Sequence, residues 1–418
     1  MSTNPFKPEQ GSNLRVLRWK RYIATDEKVF LDQIKAFSNQ YGVAVSVEHL
    51  PWPEVFAESF EYASRGKGPD VVISCDDDGN RFADKLLPLD DVARSLEGAL
   101  GGFFEAARFF SKPSAETPWL SLPQALSANA LVVRESLARK AGFSQAPKDL
   151  EGFAAFLQAL HKTSTPAGFA FGNSPADGQA FCSWLLWSFG GQLLNANDEV
   201  VIDSSATEKA LNYAKRIYPF LHPEVLQWRD VHNNLEYLSG KLSATYNGMN
   251  IFHTATSSED PVLEAIARDS LHWDMPLGLD GKAYTTGMVF NMMVPKYCKF
   301  PNAAKALLAH LLHPEQQRTW LSASFGYLSS ASQSVSKQDW PAQLPSQVKF
   351  FQKAGETMRP CAYGGRPGFA SAVTRAQLLV VKMFAEALAG QPIAKVIART
   401  KDRAQKAVAA RKAVAFSF

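Results

Sequence analysis

Strand and helix patterns alternate through the first part of the chain, and this alternation constrains the fold more than any other feature. A strand pattern at 14–19 precedes apolar residues at helical spacing, with Thr25 as the predicted helix cap and Gly42 as its end. Strand patterns return at 43–47 and 70–74, on either side of a second helix pattern. Strands that alternate with helices pair mostly in parallel and are covered by the helices. The sequence therefore predicts an α/β lobe.

The middle of the chain has a different pattern. Helical periodicity dominates from 131 to 280, a strand pattern returns at 288–290, and a helix is predicted at 302–312. The 418 residues are too many for one small core and indicate two or three globular units. A content of 46% apolar and 20% charged residues is far from that of disordered chains.

The net charge of +4 is concentrated near the end of the chain. Residues 395–418 contain seven basic residues and one acid, and the rest of the chain has 37 basic and 39 acidic residues. A dedicated nucleic-acid-binding domain usually carries a concentrated basic surface, so this distribution argues against one. Val396, Ile397 and Val408 predict that the basic segment docks as a helix on the second lobe.

Motifs for bound phosphate, dinucleotide or metal are absent from the sequence. The sequence contains no Walker A motif, and no G-x-G-x-x-G follows the first predicted strand. A calcium-binding loop aligned on Gly79 would place Lys85 where a bidentate glutamate is needed. His310 and His313 at a helix end are interpreted as structural. The four cysteines form no C-x-x-C pair, and a single disulfide remains open. We expect no catalytic residues, no cofactor and no metal.

No stretch resembles a membrane span, and residues 1–13 lack the apolar core of a signal peptide. The chain is therefore either cytoplasmic or a form whose export signal is removed.

Polar and aromatic residues follow the predicted strands of the first lobe. They lie at 19–22, at 50–52 and at 75–80, the last containing three consecutive aspartates. The carboxyl ends of parallel strands meet at one edge of a sheet, where ligands of such folds bind. We expect a ligand site at this edge.

Four passages resemble the extracellular solute-binding proteins of ABC importers, in the maltose-binding-like group called family 1. The most specific is Gly66-Lys67-Gly68-Pro69-Asp70-Val71 followed by Leu86-Leu87-Pro88-Leu89-Asp90. The others span 122–147, 240–250 and 275–317. The chain departs from the family pattern at Val133 and Arg134, where tyrosine and asparagine are usual.

This resemblance implies an α/β fold of the periplasmic-binding-protein type II class, with two lobes, interleaved crossovers and a central ligand cleft that closes by hinge motion. The expected N-terminal lobe comprises 12–126 and 286–326, and the expected C-terminal lobe comprises 127–285 and 327–418. The crossovers are expected near Ser127, Tyr284 and Tyr327.

The resemblance also implies which residues contact the ligand. Planar polar side chains suit adjacent sugar hydroxyls, and aromatic rings suit the C–H face of a sugar. Ser127 stands where relatives often place an acid. Tryptophans 228, 320 and 340 are interpreted as structural, as is at least one of Trp184 and Trp187. The predicted ligand contacts are Lys20, Arg21, Trp52, Asp76, Asp77, Asp78, Ser127, Asn173, Trp184, Asn247, Asn250, Trp273, Tyr363 and Arg366.

The implied function is the binding component of an ABC importer. It would capture a sugar, oligosaccharide or sugar alcohol, and deliver it to membrane permease subunits. We expect a periplasmic or extracytoplasmic monomer that binds no nucleic acid. One alternative is a cationic or amino-containing solute such as a polyamine, which the aspartate run favours and Lys20 and Arg21 oppose. Another is an enzyme on a similar two-lobed scaffold.

Overall fold

The computed structural model describes residues 4–20, 23–337, 350–360 and 363–415, with the backbone alone at 52, 53, 352 and 411–415. The chain divides into two compact units. Unit 1 comprises 1–127 and 288–356, and unit 2 comprises 128–287 and 357–418.

Unit 1 is built on a mixed sheet. Its described strands lie in the order β2-β1-β3-β8-β4-β9. They are β1 (Asn13–Trp19), β2 (Ala44–Leu50), β3 (Val71–Cys75), β4 (Leu122–Ala128), β8 (Gly287–Met293) and β9 (Ser329–Ser330). β1 pairs in parallel with β2 and β3, whereas β8 runs antiparallel to β3 and β9 antiparallel to β4. The predicted alternation of strands and helices is confirmed for the parallel part.

Helices cover the sheet of unit 1. They are α1 (Ala24–Tyr41), α2 (Trp52–Arg65), α3 (Asp90–Leu100), α4 (Glu105–Ser111), α12 (Pro301–Leu312), α13 (Pro314–Ala323) and α14 (Gln333–Ser336), with 3-10 turns at Asp78–Lys85 and Phe351–Lys353. Gly42 ends α1 in the left-handed conformation, as predicted. Thr25 is not the cap of α1: its hydroxyl donates to the carbonyl of Ala323 at 2.6 Å, which ties α1 to α13.

Unit 2 contains a smaller antiparallel sheet surrounded by helices. Its described strands are β6 (Ala244–Asn247), β5 (Ala130–Arg134) and β7 (Ser270–Trp273), with β5 in the centre. The helices are α5 (Glu135–Lys140), α6 (Leu150–His161), α7 (Asp177–Ser188), α8 (Ser205–Ile217), α9 (His232–Leu238), α10 (Asn250–Thr256), α11 (Pro261–Arg268), α16 (Phe369–Ala376), α17 (Leu379–Leu388) and α18 (Ile393–Ala415), with a 3-10 turn at Tyr218–Phe220. The short helix α15 (Ala354–Thr357) belongs to unit 1 except for its last residue.

The last boundary between the two units lies further along the chain than the crossover expected near Tyr327. It lies between Glu356 and Thr357. The reason is that Ser329 and Ser330 pair with Leu126 and Ala125 of β4, which keeps the following residues in unit 1.

The C-terminal helix α18 packs on unit 2, as the sequence predicts. Val396 and Ile397 are buried in the apolar core of this unit. Arg399 and Arg403 both pair with Glu386, at 2.9 and 2.8 Å. The positive charge of the tail is thus partly neutralised by the unit on which it lies.

Several residues interpreted as structural have structural roles. Trp228 and Trp320 are buried, whereas Trp340 lies outside the described residues. The His310 ring packs against Phe37 at 5.6 Å, and His313 Nδ1 caps α13 by accepting from the Glu315 amide at 3.4 Å. Cys75, Cys182 and Cys298 are buried, and no disulfide joins any two of them; Cys361 lies outside the described residues.

Candidate functional site

Asp76, the first aspartate after β3, is hydrogen-bonded to the neighbouring strand β8. Its Oδ1 accepts the amide of Val289 at 2.8 Å, and its carbonyl oxygen accepts from Asn291 Nδ2 at 3.0 Å. Both partners lie on β8, so the residue connects the end of β3 to the neighbouring strand. Its backbone is left-handed, with φ of 49°, which aspartate tolerates better than most residues.

Asp78 is fully buried among donors of its own unit. It accepts hydrogen bonds from Ser59 Oγ at 2.8 Å, from Ser74 Oγ and from Arg81, whose Nε lies 3.0 Å away. The Arg81 guanidinium is stacked 3.7 Å from the centre of the Phe56 ring. Burial raises the pKa of Asp78, and the charge of Arg81 opposes this change. Asp78 is therefore part of a satisfied internal network.

These contacts correct the expectation that the three aspartates face a ligand. Asp76 and Asp78 are 4% and 0% exposed, and both are hydrogen-bonded within unit 1. Asp77 is also fully buried. A ligand cannot reach these side chains without a rearrangement of the protein around them.

The other predicted contacts of unit 1 follow three of its strands. Lys20 is exposed, and its amide donates to the carbonyl of Leu50 at 2.7 Å, joining the ends of β1 and β2. Ser127 is buried near the end of β4. Arg21 lies outside the described residues, and the backbone of Trp52 begins α2. Of these four residues, Lys20 is the one whose described side chain is exposed to solvent.

Unit 2 holds a second acidic group, at the start of α7. The carboxylate of Asp230 accepts from the amides of Ala176 and Asp177, at 3.2 and 3.1 Å, and from the hydroxyl of Ser174. The first amides of a helix have no partner within the helix, so a carboxylate there is stabilising. Asp230 thus caps α7 from a distant part of the chain.

The predicted contact Asn247 joins this group from the end of β6. Its Nδ2 donates to Asp177 Oδ2 at 3.0 Å and to Asn234 Oδ1, and its Oδ1 accepts from the amide of Gly248 at 2.7 Å. The side chain is 3% exposed. Asn247 is therefore held in one orientation, with every polar atom used. We call Ser174, Asp177, Asp230, Asn233, Asn234 and Asn247 the α7 cluster.

The electrostatics of the α7 cluster differ from those of Asp78. Burial, and then the charge of Asp230, raise the pKa of Asp177 to about 7, while hydrogen bonds from Asn233 and Asn247 act in the opposite direction. Among the described residues, neither carboxylate forms an ion pair with a basic side chain. Two adjacent carboxylates without a cation favour a ligand that donates hydrogen bonds.

Further acceptors without partners lie in or near this cluster. Within the described part of the chain, Oδ1 of the fully buried Asn233 has no hydrogen-bond partner. The buried Oδ1 of Asn250, at the start of α10, also has no hydrogen-bond partner among the described residues. Val231, between Asp230 and α9, has φ of 74°, a strained conformation for a β-branched residue. Such strain is found more often at functional sites than elsewhere.

Trp184 is not available as a ligand contact. It is fully buried in the core of unit 2, where its ring lies 5.5 Å from that of Phe153 and 5.6 Å from that of Phe181. This finding corrects the expectation for Trp184, because the surrounding aromatic rings enclose it.

Three other predicted contacts lie nearer the surface. Asn173 is exposed just before α7. Trp273 is half-buried at the end of β7 and packs on Phe156 at 5.8 Å. Arg366 is exposed and pairs with Asp198 at 3.0 Å. Its guanidinium thus has a partner within unit 2.

Tyr363 lines a pocket of unit 2. The pocket lies between α7, α16 and α17 and is partly open to solvent. The Tyr363 ring is held edge to face by Trp187 at 5.5 Å and by Tyr284 at 5.6 Å.

The turn after Tyr363 requires glycine. Gly364 has φ of +92°, and a Cβ there would lie 2.4 Å from Gln192 Cδ. A residue with a side chain would therefore be strained at this position.

Two other kinds of site are not seen in the described ranges. Their His, Cys, Asp and Glu side chains form no group of three or more that could hold a metal ion. Their helices are also all too short or too polar to cross a bilayer.

Comparison with protein families decides the identity of the chain. The model of the family described as bacterial extracellular solute-binding protein matches residues 32–348. The chain belongs to this family. The resemblance seen in the sequence is thereby confirmed. A search of curated proteins gives no match to this solute-binding protein.

Solved structures confirm the two-lobed fold of this solute-binding protein. Maltose-bound MalE3 of T. maritima superposes with a TM-score of 0.76 at 19% identity, covering 94% of this chain and 99% of that one. The GacH receptor of Streptomyces glaucescens, solved unliganded and with acarbose, gives 0.76 at 19% identity over 96% and 99%. The sugar-binding protein MalE of Xanthomonas citri gives 0.78 at 17% identity over 97% and 100%. At these identities the likeness shows the fold.

Sequence reasoning on this solute-binding protein missed most of the α7 cluster. It found Asn247, but not Asp177, Asp230 or Asn234. Asp177 and Asp230 are 53 positions apart, and folding brings them together. The available signals were an aspartate at the start of a helix pattern and the pair Asn233-Asn234 just after Asp230.

Proposed function

We propose that this solute-binding protein captures a small ligand with several hydroxyl groups and delivers it to the permease subunits of an ABC importer. A sugar, an oligosaccharide or a sugar alcohol is the ligand class. The family supports a place outside the cytoplasmic membrane, in the periplasm or its equivalent. The structural relatives include proteins described with bound maltose and acarbose.

The α7 cluster is the observation that carries this proposal. Its carboxylates belong to the half-buried residues Asp177 and Asp230, and they are planar groups that can accept hydrogen bonds from adjacent hydroxyls. Within the described residues, the buried Oδ1 of Asn250 has no partner and needs a hydrogen-bond donor, because a buried acceptor without a donor destabilises the protein. A polyol supplies such a donor.

A second candidate ligand is a cationic or amino-containing solute such as a polyamine. The observation that favours it is the Asp177–Asp230 pair, which has no ion-pair partner among the described residues. The aspartate run of unit 1 no longer supports this candidate, because Asp76 and Asp78 are satisfied internally.

The protein is proposed to act without catalysis and as a monomer. The related proteins named above are described as binding proteins or receptors. Closure of the two lobes on the ligand, which the resemblance implies, stays a prediction. Chemical conversion of a bound ligand by the purified protein would contradict the non-enzymatic proposal.

A thermal-shift screen with neutral sugars, sugar alcohols and polyamines tests the ligand class. A ligand at a hundredfold excess over its Kd stabilises the native state by about 2.7 kcal/mol. We expect a shift with at least one sugar or sugar alcohol. Stabilisation by polyamines alone would overturn the carbohydrate proposal and support the second candidate.

Variants then connect the ligand to the α7 cluster. Asp177→Asn removes one carboxylate with little change of shape, and it should weaken binding of a sugar about tenfold. Asp32→Asn is the matched control, because Asp32 is exposed on α1 and pairs with Lys28. Equal affinity of the two variants would show that the cluster does not contact the ligand.

A further inference from the structure

The two carboxylates of the α7 cluster carry more negative charge than their surroundings compensate. Asp230 Oδ1 accepts from the amide of Asp177 at 3.1 Å, so the two acids are neighbours. The N-terminus of a helix such as α7 supplies a positive partial charge equivalent to only about half an elementary charge. Among the described residues, no Lys or Arg side chain forms an ion pair with either acid. The pair therefore favours a ligand that brings a positive charge.

An ammonium group suits this pair of acids. Burial, and then the charge of Asp230, raise the pKa of Asp177 to about 7, which shows that the two negative charges disfavour each other. A cation that contacts both carboxylates removes this repulsion and favours their charged forms. An ammonium group supplies three N–H donors and no acceptor, and its hydrogen bonds to carboxylates are stronger than those of a neutral hydroxyl.

Further oxygen atoms lie close to the carboxylate pair, around Gly248. A Cβ on Gly248 would lie 3.3 Å from the carbonyl oxygen of Ala128. It would also lie 3.5 Å from Asn250 Oδ1 and 3.7 Å from Asn129 Oδ1. Within the described part of the chain, the Asn250 oxygen has no hydrogen-bond partner. This oxygen needs a donor, and a ligand hydroxyl can supply it.

Asn247 connects the two groups of acceptors. Its Nδ2 donates to Asp177 Oδ2 at 3.0 Å, and its Oδ1 accepts from the amide of Gly248 at 2.7 Å. Consecutive Cα atoms are about 3.8 Å apart, so the acceptors on the two sides of Asn247 are near each other. One ligand can therefore donate an ammonium to the carboxylate pair and a hydroxyl to Asn250.

Helix α9 adds an open apolar surface beside the acids. Val231, which directly follows Asp230, is 54% exposed, and Leu235 is 60% exposed. The amide of Leu235 donates to the carbonyl of Val231 at 3.0 Å, so these two residues are one helical turn apart and share a side of α9. Asp177, Asp230 and Asn234 are half-buried rather than enclosed. A ligand can thus approach the carboxylates from the solvent and place its C–H groups on aliphatic surface.

We propose that the α7 cluster binds an amino sugar, a hydroxylated ring that carries a protonated amine. This inference rests on the proposed function and deepens it. The ammonium contacts Asp177 and Asp230, and a ring hydroxyl donates to Asn250 Oδ1. The C–H groups of the ring pack beside Leu235.

Calorimetric titration of the full-length protein at pH 7 tests the ligand directly. The probes are D-glucosamine and D-galactosamine. Each is compared with its N-acetyl form, which keeps the ring but lacks the charge, and with the parent hexose. We expect at least one amine to bind about 10- to 100-fold more tightly than both neutral forms, because hydrogen bonds between charged groups are stronger than neutral ones.

Two outcomes of this titration overturn the inference. If neutral sugars bind as tightly as the amines or more tightly, the site does not select an ammonium, and the proposed function remains intact. If no carbohydrate binds, charged or neutral, both the inference and the proposed function are wrong.

Variants assign the preference for the amine to the carboxylate pair. Asp177→Asn should weaken the amino sugar about tenfold more than its N-acetyl form, because it removes a charge with little change of shape. Asp149→Asn is the matched control, since Asp149 also accepts a helix amide in unit 2, that of Gly152 at 2.7 Å. An amine preference that survives unchanged in Asp177→Asn would contradict the assignment.

A charge-preserving variant separates electrostatics from loss of structure. Asp177→Glu keeps the negative charge on a longer side chain, so it should retain a preference for the amine over the N-acetyl form. Loss of the preference in Asp177→Glu as well as in Asp177→Asn would show that the geometry of the helix start, not its charge, determines binding. If Asp177→Asn does not fold, the comparison of ligands on the unaltered protein still decides the question.

The apolar surface has a test of its own. Leu235→Ala should weaken an amino sugar and its N-acetyl form alike, by about threefold, because it removes aliphatic surface and no charge. Leu279→Ala is the control, since Leu279 is 65% exposed elsewhere in unit 2. Equal affinities in the two variants would show that the ring does not pack beside α9.

Discussion

Two acidic groups, one in each unit, show how little an aspartate by itself indicates about a binding site. Asp78 of unit 1 is surrounded by Ser59, Ser74 and Arg81, and its charge is compensated within the protein. Asp177 of unit 2 faces another carboxylate, Asp230, and two asparagines. In both cases burial raises the pKa, but only Asp78 has a cation beside it. The first group stabilises the fold, whereas the second is the one that we propose for the ligand.

The largest expected effect comes from breaking the compensated group. Asp78→Ala leaves the largely buried guanidinium of Arg81 without its carboxylate, and removal of one partner of a buried ion pair typically costs about 3–5 kcal/mol. We expect the free energy of unfolding, measured by urea denaturation, to fall by this amount. Asp84→Ala is the control, since Asp84 is 73% exposed and should change stability by less than about 0.5 kcal/mol. Similar stabilities of the two variants would show that the Asp78 network is not structural.

The pH dependence of stability should distinguish the Asp177 group from the Asp78 group. Burial and Asp230 raise the pKa of Asp177 from its ordinary value of 3.8 to about 7. Between these two pH values the folded protein binds the proton more tightly than the unfolded chain does, so the free energy of unfolding should fall as the pH rises. We expect a loss of roughly 2 kcal/mol from this group, since each tenfold change in proton affinity corresponds to about 1.4 kcal/mol and solvent partly screens this half-buried residue.

Asp177→Asn should flatten this dependence. The variant carries no titrating group at this position, and it also removes the repulsion from Asp230. Urea denaturation of both proteins between pH 4 and pH 8 measures the difference. An identical pH profile in the two proteins would mean that Asp177 titrates normally in the folded state.

Asp230 serves α7 as a cap, and a second capped helix of unit 2 provides the comparison. Asp149 caps α6 by accepting the amide of Gly152 at 2.7 Å. Asp230→Ala and Asp149→Ala should each lower the free energy of unfolding by about 1 kcal/mol. Asp230→Ala alone should also weaken ligand binding, which titration calorimetry measures. Loss of affinity in both variants would indicate that destabilisation, not contact, explains the effect.

Local patterns in the sequence were enough to predict much of the fold. The helix predicted at 302–312 is observed as Pro301–Leu312, and Gly42 ends α1, because periodicity and a left-handed glycine are properties of short segments. Thr25 was wrong as a cap because its hydroxyl donates to Ala323, almost 300 positions away. No local pattern contains that contact.

The site was harder to predict for the same physical reason. The helix that carries Trp184 and Trp187 was expected, but which ring is enclosed depends on Phe153 and Phe181, which come from two helices of unit 2. The aspartate run looked like the better candidate because its residues are adjacent in sequence. Arg81 is only three positions from Asp78, but the contact with Ser59, 19 positions away, is visible only in three dimensions.

The smallest expected effect concerns Arg366, which was predicted to contact the ligand. It is 57% exposed and pairs with Asp198 at 3.0 Å. An exposed ion pair usually contributes about 0.2–1 kcal/mol, so Arg366→Gln should lower the free energy of unfolding by no more than that. The ion pair makes Arg366 resemble the compensated Asp78 rather than the uncompensated Asp177. We therefore expect the affinity for the ligand to change by less than about twofold, measured by calorimetry beside Asp177→Asn. A tenfold loss would show that a compensated charge can still contact the ligand, and would break the distinction between the two groups.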